Sequence, residues 1–78
     1  MLLNSQVKKI EQIGLKINGY TTIGNYTYDL KTNMNCRSRV HFSLCVKDNR
    51  TGEWLTLCTR ANFDTAFDKA LTFKREHT

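Results

Sequence analysis

Residues 39–60 read RVHFSLCVKDNRTGEWLTLCTR. Val40, Phe42, Leu44 and Val46 alternate with Arg39, His41, Ser43, Cys45 and Lys47, the period-two pattern of a strand buried on one face. A second alternation follows the polar turn Asp48-Asn49-Arg50-Thr51-Gly52-Glu53. A four-residue loop at 49–52 puts Gly52 at the left-handed position that closes such turns. Asp48 then faces Glu53, Val46 faces Leu55, and Leu44 faces Leu57. A one-residue slip would turn Leu55 and Leu57 to solvent, and the hydrophobic pattern rejects it. The stretch is a β-hairpin with an apolar face and a face carrying Arg39, His41, Lys47, Trp54 and Arg60.

Working outward, Tyr26, Tyr28 and Leu30 alternate with Thr27, Asp29 and Lys31 as a third strand. Pairing Leu30 with Val40, Tyr28 with Phe42 and Tyr26 with Leu44 keeps every apolar residue on one face. It leaves a five-residue loop at 33–37. The sheet is then a three-stranded antiparallel meander with residues 39–47 in the middle, and strands 26–31 and 54–60 at its edges. Either edge could pair with a second copy. Residues 18–25 hold turn residues at both ends. They leave open a helix end, a loop or a short extra edge strand, and Asn18-Gly19 is a hairpin-type dipeptide.

A short helix is expected over 3–13. Leu3, Val7, Ile10, Gly14 and Ile17 share one stripe, Asn4 or Ser5 serves as N-cap, and Gly14 ends the helix. A longer C-terminal helix starts at a capping box, Thr65 to Asp68. It carries Phe63, Phe67, Ala70 and Leu71 on one side, and Lys74, Arg75 and His77 close its last turn. The expectation is a single two-layer α+β domain over residues 1–78, with this helix covering the apolar side of the sheet.

The whole chain limits the function. Its 78 residues carry 12 Lys and Arg against 7 Asp and Glu, a net charge of +5 that favours an anionic partner. A body this small has little apolar material for a deep catalytic cavity. No stretch reaches the ~20 apolar residues of a membrane span, and the first residues lack a signal peptide's apolar core. A cytoplasmic setting follows, and the sequons at Asn25 and Asn49 then carry no glycan. Cys36, Cys45 and Cys58 are odd in number and form no C-x-x-C pair, so neither a disulfide framework nor a zinc site is expected. No cofactor is implied.

In the expected registers, Lys31 lies opposite Arg39, and Asp29, His41 and Arg60 form one row. Lys47 sits opposite Trp54, and Cys45 and Cys58 are diagonal neighbours. Arg37 and Arg50 extend the positive rim. A solvated sheet face needs polar residues but no tryptophan. An exposed aromatic among cations suits stacking on a base or anchoring a protein. Alternatively, Trp54 folds sideways over Cys45 and Lys47, and His41 hydrogen-bonds Asp29. Cys45, His41 and Asp29 resemble the parts of a nucleophilic site, but an open plane offers neither water exclusion nor oxyanion donors. The expected function is therefore non-enzymatic. The chain binds nucleic acid, a nucleoprotein or an acidic protein surface through Lys31, Arg37, Arg39, His41, Lys47, Arg50, Trp54 and Arg60.

Phe63-Asp64-Thr65 and Ala70, after a basic and aromatic hairpin, resemble three-stranded DNA-binding domains of the plant ethylene-response type and the arm-binding domains of phage integrases. The likeness covers about residues 26–76. It implies a sheet that reads the major groove, with Arg39, Trp54 and Arg60 on the reading strands. The link from Leu57 to Phe63 is longer than in those families, which also lack the N-terminal helix. The element order is similar to that of double-stranded-RNA-binding domains, but Asp64 and Asp68 stand where those carry lysines for phosphates. In size and topology the chain is also similar to phage-encoded host-takeover and anti-CRISPR proteins. That likeness implies an inhibitor that occludes a host defence or transcription complex.

Overall fold

The computed structural model describes residues 3–34 and 39–77. The chain runs α1 (Asn4–Gln12), β1 (Gly19–Ile23), β2 (Tyr26–Met34), β3 (Val40–Asp48), β4 (Glu53–Ala61) and α2 (Phe63–Glu76). The α+β class is as expected, but the sheet has four antiparallel strands in the order β1-β2-β3-β4, not three. The added strand comes from residues 18–25. Ile23 pairs with Tyr26 across the two-residue turn Gly24-Asn25, so the turn lies at the far end of the segment from Asn18-Gly19. Gly24 has φ of 61°, as the first central residue of a tight hairpin turn requires.

Asn18, at φ 59°, opens this strand. Its N–H donates to Leu30 O at 2.7 Å. Its side chain extends the ladder by one rung: Thr32 N–H donates to Asn18 Oδ1 at 2.9 Å, and Asn18 Nδ2 donates to Thr32 Oγ1 at 2.8 Å. Residues 26–31 are thereby interior, and the sheet's edges are β1 and β4.

β2 and β3 keep the expected faces with a register four residues away. Leu30 pairs with Leu44, Tyr28 with Val46 and Tyr26 with Asp48. The β3–β4 hairpin closes as expected, with Asp48 opposite Glu53, Val46 opposite Leu55 and Gly52 at φ 79°. Further along, the strand departs. Leu44 faces Cys58 while Cys45 faces Thr56, so Leu57 is an extra residue in a bulge. Phe42 then faces Ala61, which leaves Thr59 and Arg60 together across from Ser43, with Arg60 at φ 48°. These shifts turn Cys58 to the helix side, where it packs against the core, rather than to the open face beside Cys45.

The helices cover one side of the sheet. Phe63, Ala66, Ala70 and Phe73 of α2 join Tyr28, Leu30, Phe42, Leu44 and Val46 in the core, with Ile10 and Leu15 completing it. The N-cap of α2 is Asn62, whose side chain accepts from Thr65 N–H at 2.8 Å. Thr65 is therefore inside the first turn. α1 ends in a Schellman motif: Gly14 N–H donates to Glu11 O at 2.9 Å and Leu15 N–H to Ile10 O at 3.1 Å. Lys74 Nζ donates to Ile13 O at 2.7 Å and ties the two helices together.

Tyr28 is a buried tyrosine whose hydroxyl has no hydrogen-bond partner among the described residues. Burial pushes its pKa above the ordinary 10.0. The folded state holds this proton more tightly than the unfolded chain. Its contribution to stability is therefore full below pH 10.0 and declines as pH rises through the folded-state value. Tyr28→Phe is expected to be neutral or to stabilise by up to about 1 kcal/mol, and to remove this alkaline loss. Urea denaturation at neutral and alkaline pH measures both effects. A clear loss at neutral pH would mean that the hydroxyl is paired.

Candidate nucleic-acid interface

The side of the sheet away from the helices presents Tyr20 and Thr22 from β1, and Thr27, Asp29, Lys31 and Asn33 from β2. β3 adds His41, Ser43, Cys45 and Lys47, and β4 adds Trp54 and Thr56. Cross-strand pairing places Tyr20, Asp29, Cys45 and Thr56 in one row and Thr22, Thr27, Lys47 and Trp54 in the next. Lys47 lies opposite Trp54, as expected. Lys31 faces Ser43 rather than Arg39, and His41 faces Asn33 rather than Asp29. His41 lies four residues along β3 from Cys45, about 14 Å at strand spacing. Cys45, His41 and Asp29 are thus not brought together.

The floor of this face is polar and internally bonded. Asp29 is buried, at 8% exposure, and pairs with Lys31 Nζ at 3.4 Å. The Thr22 and Thr27 hydroxyls lie 3.0 Å apart, and Asn49 Nδ2 donates to Thr27 Oγ1 at 2.9 Å. Cys45 Sγ lies 3.7 Å from Thr56 Oγ1.

Above this floor, Trp54 neither stands free nor is buried. It is 51% exposed and its ring centroid lies 6.4 Å from that of Tyr20, itself 63% exposed. β1 and β4 are separated by two strands, so their backbones are about 14 Å apart. The two side chains therefore lean toward each other across β2 and β3. Thr27, Asp29, Cys45 and Lys47 occupy the rows beneath them and are half-buried or buried. Tyr20 is absent from the expected site because the sequence leaves residues 18–25 open between a helix end, a loop and a short edge strand. The turn Gly24-Asn25 followed by Tyr26 was the signal that would have placed it.

The remaining site residues separate. Arg60 joins His41, Asn33 and Met34 around a hollow of about 440 Å³ at the far end of the sheet. Arg39 is exposed immediately before β3. Arg37 lies outside the described residues. Arg50 is not on this face. Its Nε donates to Asp48 Oδ1 at 3.2 Å and its Nη2 to the Tyr26 hydroxyl at 3.2 Å, and the guanidinium sits over the Tyr26 ring. The hydrogen bonds from Arg50 hold the Asp48 carboxyl below its ordinary range. This pair closes the hairpin loop from the helix side.

On that helix side, Leu55 is opposite buried Val46 yet 54% exposed. The last turn of α2 ends over Tyr26, where His77 and Phe73 stack, and leaves a hollow of about 310 Å³ before Leu55. The inward direction expected for Leu55 holds, but its burial does not. The thiol of Cys58 is pushed up in pKa by burial, which disfavours the reactive thiolate. Among the described residues, no cluster of three or more His, Cys, Asp or Glu could hold a metal ion. Among them, too, no helix is long and apolar enough to cross a membrane.

No family model matches the chain, and neither does any curated protein or solved structure.

Proposed function

We propose that the chain is a non-catalytic binding module that engages nucleic acid, or the nucleic acid of a nucleoprotein complex, through the helix-free side of its sheet. The supporting observation is the distribution of charge. Lys31, Lys47 and Arg60 lie on or at the rim of that side and Arg39 adjoins it. The acid there is Asp29, buried and paired to Lys31. Glu11, Asp64, Asp68 and Glu76 lie on the helices, and Asp48 and Glu53 at the hairpin. The sheet side thus offers a phosphate backbone cations with no exposed acid between them.

The test is binding of labelled mixed-sequence oligonucleotides, single- and double-stranded, followed by fluorescence anisotropy from ~50 to ~200 mM salt. Three phosphate contacts predict a slope of log affinity against log salt of about −2 to −3. Absence of binding to either form at ~50 mM salt overturns the reading. In that case an acidic protein surface is the remaining anionic partner to test. The inhibitor reading would then require a complex that survives nuclease treatment.

A further inference from the structure

We propose that the Tyr20–Trp54 pair is a single-strand clamp, which takes one unstacked base between its rings while the flanking cations hold the backbone. This rests on the nucleic-acid reading above and names the form of nucleic acid bound.

Three features carry it. First, both rings are more than half exposed on a face whose other positions are mainly short or charged, so neither ring is needed for the core. They come from opposite edges of the sheet and meet over its middle. Second, their geometry suits insertion. A base between parallel rings needs them about 6.8 Å apart, twice the ~3.4 Å stacking rise. The centroids lie 6.4 Å apart with planes at 52°. This is a tilted aromatic contact, so the clamp requires the two side chains to rotate until the rings are parallel and the remaining gap opens.

Third, the surface fits a duplex poorly. In a duplex both faces of every base are covered by stacking, so exposed rings find nothing to stack on. Reading base edges from a sheet calls for long polar side chains in the major groove. Here Thr22, Thr27, Cys45 and Thr56 in the rows beneath the rings are short and Asp29 is buried, which leaves Lys47 as the long polar side chain among them. Four strands are also about 14 Å across, against a major groove of about 12 Å. The fourth strand that supplies Tyr20 therefore also widens the sheet beyond the groove-reading geometry of its three-stranded look-alikes.

The chain's single tryptophan is Trp54, so its emission reports the clamp directly. The probes are a ~12-nucleotide oligothymidylate, an oligouridylate of equal length as the RNA arm, and a duplex of equal length. At least one single strand is expected to quench Trp54 and to bind at least ~10-fold tighter than the duplex. Tyr20→Ala and Trp54→Ala, followed with labelled strands, should each weaken binding about 5- to 150-fold, the range for stacking one base. Because one base touches both rings, the double variant should lose less than the product of the single losses. Trp54→Phe, which keeps a ring, should restore most of the affinity.

Equal or tighter duplex binding with unchanged emission overturns the clamp and leaves the nucleic-acid reading standing. Fully multiplicative losses in the double variant overturn it too. Binding of neither strand form overturns both proposals. Circular dichroism of each variant separates lost binding from lost folding.

Discussion

Leu44→Ala is expected to remove about 2–5 kcal/mol of folding free energy, the range for emptying a fully buried leucine site. Leu44 has no exposed surface and sits at the middle of β3, between Leu30 on β2 and Cys58 on β4. A chain of 78 residues has roughly 4–12 kcal/mol in total. The substitution therefore takes a large share of the stability, and a melting point about 8–40 °C lower is expected. Leu55→Ala is the matched control. It removes the same atoms from the adjacent strand and the same side of the sheet, but from a residue 54% exposed. Its cost should stay under about 1 kcal/mol. Thermal and urea denaturation of the pair separates the core from the uncovered end of the sheet. Equal losses would mean that Leu55 is covered in solution.

The second large effect concerns binding. Lys47→Glu combined with Arg60→Gly is expected to cut affinity for a single strand by at least ~10-fold at low salt, and to lower the salt slope by about 1.4. Lys47 sits in the row with Trp54, and Arg60 at the bulge near His41, so the two removals probe both ends of the face. Arg60→Gly is chosen because Arg60 holds φ 48°, a left-handed conformation that glycine adopts without strain. The variant loses a charge without a conformational cost, so its melting point should be unchanged or raised. An unaltered salt slope would remove these cations from the interface.

These expectations draw on different depths of the sequence. The facing of β3 and of the first half of β4 was readable because alternation specifies which residues turn inward. The pairing of β2 with β3 was not, and the reason is arithmetic. A shift by an even number of residues preserves every inward position, so the pattern cannot distinguish Leu30–Val40 from Leu30–Leu44. The four-residue difference rearranged the rows of the open face. It separated His41 from Asp29 and Lys31 from Arg39 without moving one apolar residue out of the core. The bulge at Leu57 was hidden for a related reason. Leu57 and Cys58 are both apolar enough to accept the helix side, so hydrophobicity did not mark the extra residue.

Local chemistry was legible where one residue type had one use. Gly14 and Gly52 fell at left-handed positions as their places in the sequence implied. It misled at the start of α2, where Thr65 and Asp68 match a capping box but Asn62, three residues earlier, is the cap, and Phe63 in the first turn packs beside Phe42. The candidate site was half legible. Trp54 and Lys47 were placed together from the hairpin alone. Tyr20 required recognising a five-residue strand, Gly19–Ile23, in which only Tyr20 and Ile23 are large and apolar and a tight turn follows.

The proposed function places a nucleic-acid strand on the helix-free side of the sheet. Backbone and side-chain NMR shifts of the labelled protein, recorded as an oligothymidylate is added, test it most directly. Saturable shifts are expected at Tyr20, Lys31, Lys47, Trp54, Thr56 and Arg60, with Asp64, Asp68 and the rest of α2 nearly still. Shifts centred on α2 or on the Leu55 hollow, or no shifts at low salt, would contradict it.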